Sequence, residues 1–208
     1  MLPRTLVLLF SLAIAGFVMT VFAPTASARA DYDELPFEVA FPQNTEMTTF
    51  SNDWGQRRSS GRRHLGNDLM APKMTEVYAL ADGVIAKVNE RARPGRYLII
   101  EHGDGWESLY VHLNNDNLGT DDGDADWSLT LAPGVEEGAE VKAGQLIGWS
   151  GDSGNAEGSM PHTHFELSFD GREVNPYYVL SKAFGKDHEA FLWRQWAIEN
   201  GFGNYEIA

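Results

Sequence analysis

Cysteine is absent from the 208 residues. The chain therefore forms no disulfide, builds no thiolate metal site and offers no cysteine to a lipid. Its stability rests on a packed core, and any metal it holds is bound by His, Asp or Glu. Basic residues are also scarce, with sixteen Lys and Arg against thirty Asp and Glu and a formal charge of −14. Residues 1 to 30 hold two arginines and no acid, so without them the charge becomes −16. That balance argues against nucleic acid as a partner and against capture of anionic polymers by the overall field.

The start of the chain differs from the rest. Arg4 precedes an apolar run from Leu6 to Ala23, then come Pro24 and the small-residue sites Ala26-Ser27-Ala28 and Ala28-Arg29-Ala30. This is the form of a secretory signal peptide cleaved after Ala28 or Ala30, with an uncleaved anchor as the alternative. The expectation is an exported protein with no stable membrane span after cleavage. Length suits one domain of ordinary size. The expected divisions are a signal peptide at 1–30, a loop-rich lead-in at 31–60, a main domain at 61–180 and a helical extension at 181–208.

Helical periodicity is rare between residues 64 and 176, and β patterns replace it. Val77 to Val88 reads as two short strands about Asp82-Gly83, and Arg96 to Leu113 as a hairpin about Gly103-Asp104-Gly105. Val141 to Trp149 and Thr163 to Phe169 supply further strands. Twenty-one glycines, many at strand corners, fit a mainly β fold: a twisted antiparallel sheet or small open barrel. Asn114 to Glu140 is a long excursion, expected as a lid or a disordered loop. Within it Asp122, Asp124 and Asp126 have the spacing of a calcium loop, although Trp127 stands where glycine is required. Ser181 to Glu199, with Phe184, Phe191, Leu192, Trp193 and Trp196, reads as a helix packing its aromatic stripe on the sheet.

The histidines carry the chemistry. His162 and His164 sit two apart at a strand entry, so both rings project from one face roughly 6 to 7 Å apart. His64 and Asp68 are four apart, and in extended chain they also share a face. His112 ends the long hairpin strand. Three protein ligands with an open fourth position is the arrangement of a catalytic zinc, and it points to hydrolysis. Spacing leaves open which of His162 and His164 is the ligand.

At these residues the sequence resembles the lysostaphin-type (LytM-like) zinc metallopeptidases, exported enzymes that cut the peptide part of peptidoglycan. Gly61 to Asp68 is similar to that family's GRxHxGxD box and Ala79 to Val88 to its AxxDGxVxxV hairpin. Ser108 to Leu113 is similar to its LYxHL strand, Val141 to Gly148 to its VxxGQxIG segment, and Pro161 to Leu167 to its PHxHFEL. The resemblance covers roughly residues 50 to 178. It implies that His64, Asp68 and His164 bind Zn2+ and that His112 and His162 are the two catalytic histidines acting on zinc-activated water. Which of the two is the general base stays open. Two departures stand out: Asn67 replaces a more usual aliphatic residue, and the 114–140 excursion is longer than the family's connection and is expected to border the substrate groove. Glu166 shares the face of His164 and is expected to pack or pair beyond the site. The alternative reading is a non-catalytic wall-binding or amidase-activating module of the same fold.

Overall fold

A computed structural model describes residues 35 to 200. The expected signal peptide lies outside the described residues. The strands, in chain order, are β1 (Asn67–Met70), β2 (Glu76–Tyr78), β3 (Gly83–Arg91), β4 (Gly95–Gly103), β5 (Trp106–Leu113), β6 (Glu140–Val141), β7 (Leu146–Trp149), β8 (His162–Phe169) and β9 (Arg172–Val174), followed by helix α1 (Tyr177–Glu199). Seven of them form one antiparallel sheet in the order β1-β8-β5-β4-β3-β6, with β9 on β8; β2 and β7 pair separately. The mainly β antiparallel architecture agrees with the sequence pattern.

The β4–β5 hairpin forms where expected. β2 and β3 also form on either side of Asp82-Gly83, yet they do not pair with one another. β2 pairs with β7, whereas β3 lies between β4 and β6. The pattern read the strands and not their partners, because alternation encodes faces and carries no information about which edge meets which.

Period-2 alternation places the core on one face of the large sheet. In β8, Thr163, Phe165 and Leu167 are fully buried while His162, His164 and Glu166 are only partly so. Tyr110 on β5 packs edge-on against Phe165 at 5.2 Å, and its hydroxyl accepts the Leu80 N–H at 2.7 Å. Satisfying that oxygen matters because an unpaired buried hydroxyl costs about 1 to 3 kcal/mol. The lead-in is irregular, as expected, but it is not peripheral. Phe41 is buried, contacts Phe50 and Phe184 at ring distances of 5.3 and 5.0 Å, and its N–H donates to Asp187 on α1.

Helix α1 begins earlier than the aromatic pattern indicated, after Asn175, whose side-chain oxygen accepts the Tyr177 N–H. Its first turns bury Val179, Leu180 and Ala183. Only the start of the stripe packs: Phe184 lies on the core against Phe41 and Phe50, whereas Leu192, Trp193 and Trp196 are all at least half exposed.

Candidate metal centre and catalytic cleft

Three donor atoms converge at the edge of the large sheet. Asp68 and His164 face each other directly across the β1–β8 register, and Val111 on β5 is the next in that row. His64 reaches the same point from the chain entering β1. His64 Nε2 lies 3.0 Å from Asp68 Oδ1 and 2.8 Å from His164 Nδ1, and His164 Nδ1 lies 2.9 Å from Asp68 Oδ1. Gly66 permits this approach: a Cβ there would sit 2.2 Å from the Phe165 carbonyl oxygen. Any side chain at residue 66 would push β1 off β8 and part the trio.

The outer nitrogen of each imidazole is tied down. His64 Nδ1 faces the Asp53 carbonyl and carboxylate oxygens, each at 3.1 Å. His164 Nε2 faces Glu166 Oε1 at 2.8 Å. With its outer nitrogen so engaged, each ring turns its other nitrogen, His64 Nε2 or His164 Nδ1, inward beside the carboxylate. Burial alone would lower the His64 pKa, but Asp53 and Asp68 outweigh it and push it up to about 9. Burial would raise the Asp68 carboxyl, yet hydrogen bonds from His164 and His64 hold it far below the usual carboxylate range. The trio therefore draws positive charge to the point where its donors meet.

His162 and His112 stand beside that point. His162 Nε2 is 3.8 Å from Asp68 Oδ1, and the two rings lie 5.0 Å apart. Both rings are held in one tautomer by main chain: His162 Nδ1 donates to the Met160 carbonyl and His112 Nδ1 to the Ser153 carbonyl, each at 2.8 Å. Nε2 of each is left as an acceptor. Burial, reinforced by His162, lowers the His112 pKa to about 4, so this ring is neutral at neutral pH.

His112 reaches the cleft only through a break in β5. Strict alternation would place it with Ser108 and Tyr110 on the core face, away from Leu109 and Val111. The β4–β5 register shifts between Arg96↔Leu113 and Leu98↔Tyr110, so two β5 residues oppose one on β4, and His112 adopts a φ of 62°. This bulge with a left-handed residue re-aims the imidazole. The loop that supplies the Ser153 carbonyl is seated by Gly154, at φ 76°, where a Cβ would meet Gly95 N at 2.2 Å.

Residues 62–125 and 127–176, more than half of the chain, match peptidase family M23. The chain belongs to that family. It is 36% identical over 112 residues to the peptidoglycan DD-endopeptidase ShyA of Vibrio cholerae, covering 54% of this chain and 22% of ShyA. Its fold matches a zinc-containing peptidase from Vibrio cholerae at 27% identity and a TM-score of 0.52, over 68% of this chain and 39% of that one. It also matches the catalytic domain of lysostaphin from Staphylococcus simulans at 27% identity and a TM-score of 0.50, over 64% of this chain and 92% of that one. The chain spans about a quarter of the length of the curated relatives it matches.

M23 proteins are metallopeptidases, and the donor set of this M23 chain fits a metal: two inward ring nitrogens, which release any proton they carry when a metal binds, and a carboxylate oxygen within 4.8 Å of one another. Asp68 Oδ2 is taken by Arg58 Nη2 at 2.5 Å, which leaves Oδ1 for the ion. Glu166, expected beyond the site, belongs to it as the partner that orients His164. Truncating Glu166 to alanine is expected to weaken metal binding about 10- to 100-fold, as loss of such outer partners does. Competition with a chromogenic chelator measures this, and the affinity of Glu166→Gln should fall between the two.

Calcium at Asp122, Asp124 and Asp126 is not supported. The Asp122 carboxylate accepts Asn117 N and Nδ2 at 3.2 and 3.0 Å and also the Asp124 N–H, while Asp126 caps a 3-10 turn through the Ser128 N–H. These carboxylates are spent on their own loop, and among the described residues Asp122, Asp124 and Asp126 do not converge. The excursion is neither a disordered loop nor a lid. Buried Arg96 donates to Thr130 Oγ1 and the Ala125 carbonyl and stacks under Trp127, and Lys73 joins Asp116 to Asp152 at 2.7 and 2.8 Å. None of its residues lines the cleft. His102 bonds the Asp82 carbonyl and Ser108, and His188 stacks on Phe184, so neither joins the site.

Asp53 and Asn67 were not legible as site residues. Asp53 lies in an irregular segment without periodicity. Asn67, fully buried, donates to Asp53 Oδ1 at 2.7 Å and to the Ser51 carbonyl, so the departure from an aliphatic residue holds the partner of His64 in place. Its burial beside a ligand was the available signal.

Proposed function

We propose that the chain is an exported zinc endopeptidase that hydrolyses peptide bonds in the stems or cross-links of bacterial peptidoglycan. The observation that carries this reading is the pairing of one inward-facing His64–Asp68–His164 donor set with two imidazoles whose free Nε2 atoms adjoin it. In this reading His64 Nε2, Asp68 Oδ1 and His164 Nδ1 hold the zinc. When bound, zinc supplies Lewis acidity toward the scissile carbonyl and lowers the pKa of a water.

The chain's own residues then handle protons and position. His162, the nearer imidazole to Asp68, accepts the attacking water's proton at Nε2, and the Met160 carbonyl steadies the imidazolium through Nδ1–H. That proton passes to the leaving amine. His112, neutral and anchored to Ser153, faces the same space and hydrogen-bonds the reacting groups. Leu109, Val111 and Leu65 form apolar wall around them, which strengthens each polar contact inside. The name of ShyA supports peptidoglycan as the substrate class, and action on it requires a location outside the cytoplasm. Among the described residues no helix is long and apolar enough to cross a membrane.

The test is metal analysis of purified protein together with digestion of purified peptidoglycan. About one zinc per chain and release of new amino termini is the expected result. A zinc-free protein that binds wall material and releases no amino termini would instead make the chain a wall-binding or amidase-activating module.

A further inference from the structure

The cleft at the metal centre has a volume of about 770 Å³ and is lined by four arginines: Arg58, Arg62 and Arg63 before β1, and Arg93 on the β3–β4 turn. The carboxylates lining it are Asp68 and Glu166, and both are engaged with His64 and His164 as described. Its side chains thus carry a local excess of positive charge before any metal is counted, in a chain whose formal charge is −14. Outside the cleft, Lys73, Arg96, Lys142 and Lys186 each have an acidic partner. Arg58 is tied to Asp68, and Arg63 donates to the Gly55 carbonyl. Among the described residues the side chains of Arg62 and Arg93 make no hydrogen bond or ion pair.

These two arginines are rooted on different segments of the cleft wall. Arg62 precedes the ligand-bearing segment by two residues, and its carbonyl accepts the Arg58 N–H at 2.9 Å. Arg93 is rooted beside His112: its carbonyl accepts the Asn155 N–H at 2.9 Å, and the adjoining Pro94 carbonyl accepts the His112 N–H at 3.1 Å. With thirty acids in the chain, leaving both unmatched keeps the cleft positive against the field of the whole molecule. A cleft with apolar walls focuses such a field onto whatever enters it.

We propose that Arg62 and Arg93 bind free carboxylates of the substrate, so that the cleft selects acidic peptides over otherwise identical peptides whose carboxylates are amidated. This rests on the reading of the cleft as a peptide-cutting site and assigns that site its specificity. Guanidinium suits the task because its planar donors match a carboxylate in two parallel hydrogen bonds, which a carboxamide cannot accept in the same way.

The experiment titrates two peptidoglycan stem tetrapeptides into the zinc-loaded full chain by calorimetry, one with its carboxylates free and one with all of them converted to carboxamides. The free acid is expected to bind about tenfold tighter or more at low ionic strength, with the preference shrinking as salt is added. Arg62→Gln and Arg93→Gln should each reduce the preference about three- to tenfold, and the double variant should bring it near one, with unchanged circular dichroism. Equal binding of the two peptides by the native protein overturns the proposal, as does a preference that survives in the double variant. Hydrolysis is followed in parallel on cross-linked versions of both peptides. A binding preference without hydrolysis upholds the carboxylate assignment and defeats the endopeptidase reading, whereas equal binding with hydrolysis of both does the reverse.

Discussion

On the proposed function, zinc content is expected to fall from about one per chain to background when His64, Asp68 or His164 is replaced by alanine, and hydrolysis of peptidoglycan to fall at least about 10³-fold with it. The magnitude follows from the several kcal/mol of transition-state stabilisation that a Lewis-acid metal provides, each 1.36 kcal/mol being a factor of ten. Removing one donor leaves two, too few for a tetrahedral site with an open position. The fold should survive. Asp68 and His164 are held in place by main-chain pairing of β1 with β8, and their side chains lie on the cleft face rather than in the core. Atomic absorption on the purified variants, with circular dichroism as the control, makes the measurement. Variants that retain a full zinc equivalent would show that the trio is not the ligand set.

On the proposed function, His162→Ala is expected to keep its zinc and lose about 10²- to 10⁴-fold in kcat, the usual contribution of a positioned proton-handling group. His112→Ala should also keep its zinc and lose activity, because its Nε2 faces the same space and hydrogen-bonds the reacting groups. A second substitution separates chemistry from architecture at residue 112. His112 holds a φ of 62°, a conformation that costs a residue with a Cβ about 1 to 2 kcal/mol and glycine almost nothing. His112→Gly should therefore be as inactive as His112→Ala yet more stable than it by about 1 kcal/mol in urea unfolding. Strain retained at this point belongs to a backbone that aims a ring, not to one that merely turns. Full turnover in both the His112 and His162 variants, with none in Glu166→Ala at saturating zinc, would move the base to Glu166.

Much of the site was legible because its residues are encoded by short spacings on regular strands. His162, His164 and Glu166 alternate with Thr163, Phe165 and Leu167, and alternation alone assigns the first three to one face. Even so, spacing could not say which histidine turns its lone pair to the donor set. That depends on which ring nitrogen the Glu166 carboxylate and the Met160 carbonyl engage. The aromatic stripe of α1 misled in part for a related reason: periodicity states that a face is apolar, and only the tertiary structure decides how much of it is covered. In the acidic excursion, spacing alone cannot reveal that Asp122 and Asp126 turn inward onto their own backbone.

The sequence by itself determined an antiparallel β chain without cysteine, the strands β2 to β5 and β8, the faces of β8, and a histidine–aspartate set suited to a metal. Tertiary structure decided the rest. Asp53, brought from an irregular segment by buried Asn67, and the Ser153 carbonyl, seated against Gly95, are long-range partners that no local pattern encodes. The bulge in β5 is the sharpest instance. By period 2 His112 belongs in the core, and it reaches the cleft because an extra residue opposite β4 and a left-handed backbone rotate it there. Such a break becomes visible only when the partner strand sets the register.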